Sequence, residues 1–230
     1  MLTPLESEAL ALSLRVGLVS VIFSLPLGLL VAWLLVRRRF PGREILNGLV
    51  HLPLVLPPVV VGFTLLILFG RNGPVGAWLY EVFGVTFAFD WKGAALASAV
   101  MAFPLMVRAM RLSLEGVDTR LEAAARTLGA NRMRVFATVT LPLMLPGILT
   151  GAILGFARSI SEFGATITFV SNIPGATRTL PLALYSLTQV PGGDHAAWRL
   201  CTISVVVAMA ALLASELIAR RLDRRIKGVA

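Results

Sequence analysis

Charged side chains are scarce in this chain: they make up 14% of its 230 residues, whereas hydrophobic ones make up 57% and the mean hydropathy is +0.84. Because a soluble domain carries about 25% charged residues, this composition argues against a soluble protein and favours a membrane protein. The single cysteine, Cys201, excludes an intrachain disulfide. His51 and His195 stand without a cysteine or carboxylate at ligand spacing, which argues against a zinc site.

The sequence also lacks the motifs of several enzyme classes. It contains no Gly-x-x-x-x-Gly-Lys-Ser/Thr loop, which would cradle the phosphates of ATP and its magnesium ion. No Ser-His, paired aspartate or His-Glu-x-x-His arrangement lies in its apolar segments, so an intramembrane enzyme is a weak alternative. We therefore expect a chain that is not an enzyme and that binds no cofactor of its own.

Long apolar runs are abundant. Crossing a bilayer takes about 20 residues, and five runs are long enough: residues 16–36, 45–70, 93–114, 143–170 and 200–219. Prolines in the second run predict a kinked or broken helix: Pro53, Pro57 and Pro58. Glycines spaced by four residues in the fourth run predict a groove for a neighbouring helix: Gly147, Gly151 and Gly155. The sequence thus predicts an all-α membrane protein, one domain over residues 1–230 with five transmembrane helices.

The basic residues predict the orientation of these helices. Of the 21 lysines and arginines, 15 lie in segments 37–43, 108–134 and 220–227. The positive-inside rule places these segments in the cytoplasm, which puts the N-terminus outside and the C-terminus in the cytoplasm. Membrane topology thus accounts for the net charge of +9, and the charge does not indicate that the protein binds nucleic acid. Because Glu6 and Glu8 precede the first run without a lysine, we expect that run to be a retained anchor.

A charged loop, residues 116–142, joins the third and fourth runs. Thr119 and Glu122 have the spacing of a capping box, which predicts the start of a helix. One apolar stripe follows along that helix: Leu121, Ala124, Ala125 and Leu128. Gly129 is placed to end the helix in a left-handed conformation, and Asn131 can cap a second, short amphipathic helix. The alternative reading is a surface helix that folds back on its own bundle.

Two charged residues, Arg158 and Glu162, stand four positions apart inside the fourth apolar run. Each would cost roughly 2.5–3.5 kcal/mol at the bilayer centre, so we expect them to pair and to face the bundle interior or water. The pair would either fix helix packing or belong to a translocation path or its gate. As a hypothesis, neighbouring hydroxyl groups line part of that path: Ser159, Ser161, Thr166 and Thr168.

The loop resembles the cytoplasmic coupling loop of the membrane subunits of bacterial ATP-driven importers. That pattern reads Glu-Ala-Ala, three residues, Gly, nine residues, an aliphatic residue, one residue and Leu-Pro. The matching positions are Ala124, Ala125, Gly129, Val139, Leu141 and Pro142. Ala123 occupies the Glu position and Glu122 lies one residue early, so we assign Glu122 to helix capping.

A second stretch makes the resemblance more specific. Residues 161–185, followed by Gln189-Val-Pro-Gly-Gly193, are similar to the membrane subunits of bacterial molybdate importers, and this similarity covers nearly the whole chain. Sulfate importer subunits are the nearest relatives but are usually longer, with a sixth span that is not found in this sequence. Tungstate and sulfate are therefore the alternative substrates, and a passive anion channel is an alternative of another class.

The resemblance implies a fold, a mechanism and partners. The fold is that of type I importers, and two copies of the chain surround a central path that opens alternately to either side. Two cytoplasmic ATPase subunits bind ATP and magnesium, and an extracytoplasmic molybdate-binding protein delivers the anion at the bacterial inner membrane. The ATPase contact is expected at these residues: Gly129, Ala130, Asn131, Arg132, Met133, Arg134 and Phe136.

Overall fold

The computed structural model describes residues 3–226, although beyond position 211 it describes few side chains. All regular secondary structure in that range is helical. The elements are α1 (Pro4–Arg37), α2 (Arg43–Val55), α3 (Pro58–Phe69), α4 (Pro74–Phe83), α5 (Trp91–Glu115), α6 (Thr119–Thr127), α7 (Arg132–Val135), a π-helical turn (Phe136–Thr140), α8 (Leu141–Ile160), α9 (Gly164–Val170), α10 (Leu180–Thr188) and α11 (Asp194–Ile226).

Three helices in the described part of the chain are long and apolar enough to cross a membrane. They are α1, α5 and a continuous helix, Arg132–Ile160, which α7, the π turn and α8 form together. The pair α2 and α3 meets the same criterion when taken together. The fifth apolar run lies in the 33-residue helix α11. The side chains of the basic segment 220–227 lie outside the described residues.

A bend of 115° separates α2 from α3. Leu56 and Pro57, which lie between the two helices, have extended backbone ψ angles of 142° and 133°. Each of them precedes a proline, and a residue in that position is pushed out of the helical conformation by the proline ring. The break that Pro57 and Pro58 predict is therefore present in the structure.

Helix α5 lies at the centre and packs most extensively against α8 and α1. The glycines of α8 permit this close packing: a Cβ atom on Gly155 would lie 2.6 Å from Sδ of Met106, and one on Gly147 would collide with the Ser113 side chain. This confirms the groove predicted from the four-residue glycine spacing, and its partner is α5.

Two apolar clusters fill the bundle along its length. One surrounds the fully buried Phe169 and joins α1, α3, α5 and α9. The other surrounds Met106 and Met144 and joins α1, α2, α5 and α8. Burying each such side chain contributes about 1.5–3 kcal/mol relative to leaving it in water. Because α1 and α5 contribute to both clusters, they hold the two halves of the bundle together.

The fourth apolar run differs from the single span expected over residues 143–170. The chain leaves the helical conformation after Ile160, and α9 begins only at Gly164. Helix α9 then packs against α3 so closely that a Cβ atom on Gly62 would lie 2.5 Å from the carbonyl oxygen of Ala165. The run therefore comprises two helices: the long helix α8, which packs against α5, and the short helix α9, which packs against α3.

The bundle has two chemically distinct ends. At one end, which we call the basic end, Arg37 at the end of α1 contacts α6, and Arg111 of α5 donates to the Asn47 side chain at 3.2 Å. At the opposite end, Arg199 of α11 pairs with Glu6 of α1 at 2.6 Å. The basic segments 37–43 and 108–134 therefore lie together at one end of the molecule.

Candidate coupling surface and membrane polar cluster

Glu122 does not cap α6. Asp118 is the N-cap residue, because its Oδ1 accepts a hydrogen bond at 2.8 Å from the backbone N–H two positions further on. Oε1 of Glu122 instead accepts hydrogen bonds from Nη2 of Arg37 and from Oγ1 of Thr140, each at 2.9 Å. The predicted capping role of Glu122 with Thr119 is therefore wrong, because its carboxylate is turned inward to a cation that is distant in sequence.

The Glu122 carboxylate connects three elements at the basic end. It lies on α6, while its two hydrogen-bond donors lie in the last turn of α1 and at the end of the π turn. The residue is 8% exposed, so solvent screens these contacts only weakly. Removing one partner of a buried ion pair leaves an uncompensated charge and is strongly destabilising. The contact therefore holds the loop against the membrane-crossing helices.

The two turns of the loop follow its local sequence. Gly129 has φ +85°, and its N–H donates to the carbonyl of Arg126 at 2.9 Å. Oδ1 of Asn131 accepts from the backbone N–H of Arg134 at 2.8 Å and begins α7. These observations confirm the left-handed end of α6 at Gly129 and the cap at Asn131, because both depend only on neighbouring residues.

The loop presents exposed apolar side chains to solvent. Leu128 is 89% exposed and Met133 is 77% exposed. Leu121, in the same apolar stripe as Leu128, is 49% exposed, so the stripe does not fold back on the bundle. Sequence reasoning did not predict the exposure of Leu128, because helical periodicity alone assigns an apolar stripe to the core.

The residues expected to contact an ATPase lie together on this exposed segment. Most of these residues are exposed, while Val135 is buried. We call the following set the loop surface: Leu128, Gly129, Ala130, Asn131, Arg132, Met133, Arg134 and Phe136. Ala130 and Phe136 are its half-buried members. The surface combines two arginines with two protruding apolar side chains, a combination suited to a protein partner.

Part of the loop surface lies on a helix that is long and apolar enough to cross a membrane. Arg132 begins the 29-residue helix that ends at Ile160. The π turn within it keeps the backbone hydrogen-bonded, since the N–H of Leu141 donates to the carbonyl of Phe136. Helices α7 and α8 are therefore joined by helical backbone, without a loop between them.

The charged pair of the fourth run lies where that long helix ends. Nη2 of Arg158 is 2.6 Å from Oε2 of Glu162, whose side chain is 1% exposed. Oε1 of Glu162 accepts a hydrogen bond from the N–H of Ala165 at 2.8 Å, in the first turn of α9. The pair thus neutralises a buried carboxylate and satisfies a free backbone donor where α8 stops and α9 starts.

The four hydroxyl residues proposed for the path fall into two groups. Ser159 is buried, and its Oγ lies 2.7 Å from Oγ of Ser20 on α1; Thr166 is also buried. Ser161 is exposed and Thr168 is half-buried. In this conformation Ser159 and Thr166 therefore act in packing within the chain, and only Ser161 and Thr168 reach its surface.

The described part of the chain contains no group of three or more His, Cys, Asp or Glu residues that could hold a metal ion. Nδ1 of His51 lies 2.8 Å from the carbonyl oxygen of Asn47, one helical turn earlier. Cys201 is half-buried in α11.

An all-helical bundle with several helices long and apolar enough to cross a membrane is typical of a multi-pass membrane protein. The chain belongs to the family of binding-protein-dependent transport system inner membrane components, which it matches over residues 24–228. It is thus a multi-pass component of a transport system at the inner membrane.

Two relatives and one solved structure illustrate the similarity. The chain is 64% identical over 219 residues to the molybdenum transport system permease protein ModB of Escherichia coli K12, covering 95% of this chain and 96% of that protein. It is 36% identical over 226 residues to the sulfate transport system permease protein CysT of the same strain, covering 98% and 80%. The bacterial alginate ABC transporter in complex with an alginate pentasaccharide-bound periplasmic protein contains a chain of the same fold, with a TM-score of 0.76, 17% identity and coverage of 96% and 80%.

Proposed function

We propose that this chain is the membrane subunit of an ATP-driven importer that passes molybdate into the bacterial cytoplasm. The 64% identity with a molybdenum permease, against 36% with a sulfate permease, supports molybdate as the substrate. Tungstate and sulfate are the alternative anions, since all three are tetrahedral and doubly charged. A passive channel would carry the anion without ATP, and a loop surface built for a partner would then have no role.

The proposed topology has five membrane crossings with the N-terminus outside. They are α1, the bent pair α2 and α3, α5, the continuous helix Arg132–Ile160, and α11. The gathering of segments 37–43 and 108–134 at one end of the bundle supports a cytoplasmic basic end. The opposite end, with the Glu6–Arg199 pair, then faces the extracytoplasmic side.

The proposed partners follow from the two ends. Two cytoplasmic ATPase subunits bind ATP and magnesium, and each docks on the loop surface of one of two copies of this chain. An extracytoplasmic molybdate-binding protein docks at the opposite end and releases the anion into a path between the copies. The exposed Leu128 and Met133 support the ATPase contact, because exposed apolar side chains beside arginines are typical of protein interfaces.

The proposed mechanism is alternating access driven through the loop surface. Closure of the ATPase pair pulls on α7, and the continuous helix carries that displacement to Arg158 and Glu162 at its far end. The buried contact between Glu122 and Arg37 makes α1 follow the same movement. Such rigid-body movement of packed helices about an interface is a common switching device.

The path hypothesis is retained for Ser161 and Thr168, whose side chains reach the surface of the chain. Their hydroxyl groups can hydrogen-bond an anion weakly enough to let it leave. Replacing both with alanine should lower molybdate uptake. Replacing the buried Ser159 and Thr166 with alanine is the matched control, and it should affect stability more than uptake. Equal molybdate uptake by the first variant and by the unchanged protein would refute the hypothesis that Ser161 and Thr168 line the path.

Charge reversal on the loop surface tests the ATPase contact. The variant Arg132→Glu/Arg134→Glu should lose ATPase binding in a pull-down from detergent, because both side chains are exposed and lie beside Met133. The control Arg39→Glu/Arg120→Glu changes the same charge at exposed sites of the basic end, and it should retain binding. Normal ATPase binding by the first variant would contradict the proposed contact.

Competition between anions tests the proposed substrate. Vesicles that carry the chain, its ATPase and its binding protein should take up labelled molybdate, and unlabelled molybdate should compete better than unlabelled sulfate. Because the binding protein contributes to selectivity, the same assay is repeated with a sulfate-binding protein in its place. Preferential sulfate uptake with both binding proteins would assign this chain to sulfate.

A further inference from the structure

A groove of about 820 Å³ opens at the basic end between the last third of α1 and the loop segment. Its apolar wall includes Leu29 and Leu30 from α1 and Val135 and Phe136 from the loop segment. Leu30 is 58% exposed. The groove shares Arg132, Met133 and Phe136 with the loop surface, and its other wall is formed by α1.

The lining of the groove changes from apolar to cationic along α1. Leu30, Trp33 and Arg37 follow one another at about one helical turn each, and all three line the groove. From Leu30 to Arg37 the helix rises roughly 10 Å. Tryptophan between an apolar and a charged layer is typical of the membrane–water interface. A phospholipid has the same order of layers: acyl chain, ester region and phosphate.

The charges that line the groove leave a net positive site. Its cations are Arg37, Arg38, Arg126 and Arg132, and the carboxylate among its lining residues is Glu122. Arg37 pairs with that carboxylate at 2.9 Å, whereas Arg126 reaches it only at 4.0 Å. The guanidinium of Arg38 lies 5.2 Å from the ring centre of Trp33. Three arginines are therefore available for an anion.

Arg37 supplies an independent sign of a missing acceptor. Its Nη2 is occupied by Glu122, but its Nε is buried and has no hydrogen-bond partner among the described residues. A buried donor without an acceptor costs about 1–3 kcal/mol. Because this atom is itself buried, a ligand in the groove would reach it only after the Arg37 side chain turns outward.

We propose that this groove binds an anionic phospholipid of the cytoplasmic leaflet. Its phosphate contacts Arg38 and Arg126, and an acyl chain lies against Leu29 and Leu30. The proposal rests on the cytoplasmic orientation of the basic end given above. The bound lipid braces α1 against the loop segment, so that the ATPase-driven displacement of α7 reaches α1 through lipid as well as through Glu122.

Quenching of Trp33 fluorescence by brominated lipid tests this site directly. The variant Trp78→Phe/Trp91→Phe/Trp198→Phe leaves Trp33 as the single tryptophan. It is placed in vesicles, assembled with its ATPase, with increasing fractions of brominated phosphatidylglycerol or brominated phosphatidylcholine. We expect the anionic lipid to quench at a lower mole fraction. Equal quenching by both lipids, or loss of quenching on assembly with the ATPase, would overturn the proposal.

Arginine variants in the same background identify the phosphate contacts. Arg38→Gln/Arg126→Gln should weaken the preference for phosphatidylglycerol roughly 25-fold, from about 1 kcal/mol for each lost hydrogen bond to the phosphate. Arg39→Gln/Arg120→Gln is the matched control. Arg39 is adjacent to Arg38 in the sequence and Arg120 lies on the same helix as Arg126, and both are exposed, but neither lines the groove. It should change the preference by less than about threefold.

Three further outcomes distinguish a specific phospholipid site from misfolding, from general surface attraction and from a site for a free anion. Arg38→Lys/Arg126→Lys keeps both charges and should keep most of the preference, which separates charge from misfolding. An equal loss in the Arg38/Arg126 and Arg39/Arg120 variants would show only general surface attraction and would overturn the site. Relief of quenching by millimolar inorganic phosphate would assign the site to a free anion. Because the assay needs no molybdate, selective quenching in a protein that fails to import molybdate would refute the function and leave the lipid site standing.

Discussion

Replacing Glu122 with alanine removes the carboxylate that joins α6 to α1 and to the π turn. Arg37 would lose its partner at 2.9 Å while its side chain stays only 19% exposed, and Thr140 would lose its acceptor. Breaking a fully buried pair costs about 3–5 kcal/mol, and partial exposure of both partners reduces this to about 2–3 kcal/mol. The hydrogen bond from Thr140 adds about 1 kcal/mol.

The matched control is Glu115→Ala. Glu115 pairs with Arg111 at 2.8 Å, but the two side chains are 43% and 31% exposed. An exposed pair at this spacing contributes about 0.3–0.5 kcal/mol. In thermal unfolding of the purified protein, Glu122→Ala should therefore lower the midpoint by on the order of 6–16 °C, and Glu115→Ala by no more than about 2 °C.

A double variant separates the ion pair from other effects. Arg37→Ala/Glu122→Ala leaves no unpaired buried charge, so it should be no less stable than Glu122→Ala alone. Glu122→Gln keeps an acceptor for Thr140 and should fall between the unchanged protein and Glu122→Ala. Equal midpoints for Glu122→Ala and Glu115→Ala would refute the connecting role assigned to Glu122.

Three further predictions concern other positions of the chain. Gly129→Ala places a side chain at φ +85° with no atom within 4 Å, so we expect a loss of about 1–2 kcal/mol from backbone strain alone, measured by thermal unfolding. Gly62→Ala should abolish the close contact between α3 and α9 and destabilise the protein strongly. Gly48→Ala, in open space on α2, should instead stabilise the protein by about 0.5–1 kcal/mol. Similar unfolding midpoints for the two variants would contradict the close packing of α3 against α9. Arg158→Ala should destabilise the protein more than Arg158→Ala combined with Glu162→Gln, because only the single variant leaves a buried carboxylate without a cation; the reverse order in unfolding midpoints would contradict the pairing.

Local sequence chemistry predicted the parts of the loop that depend on neighbouring residues. Gly129 and Asn131 were assigned correctly, because a left-handed helix end and an N-cap involve contacts within a few positions. The role of Glu122 could not be found in this way, since its cationic partner lies 85 positions earlier in the chain. Only the packing of α1 beside the loop brings Arg37 to it.

Tertiary packing also determines where helix α8, in the fourth apolar run, ends. Residues 161–163 carry no proline, and hydropathy gives no sign that the helix stops there. The break becomes stable because Glu162 pairs with Arg158 and accepts the N–H of Ala165. The spacing of Arg158 and Glu162 predicted their contact, but the use of the second carboxylate oxygen to begin α9 depends on how α9 packs against α3.

The central claim is that ATP hydrolysis by a partner drives molybdate through this chain by way of the loop surface. The most direct measurement is simultaneous ATP hydrolysis and labelled molybdate uptake in vesicles that contain the chain, its ATPase and its binding protein. We expect uptake only with ATP, and we expect Arg132→Glu/Arg134→Glu to abolish it while Arg39→Glu/Arg120→Glu does not. Uptake without ATP, or unchanged uptake in the loop-surface variant, would contradict the account.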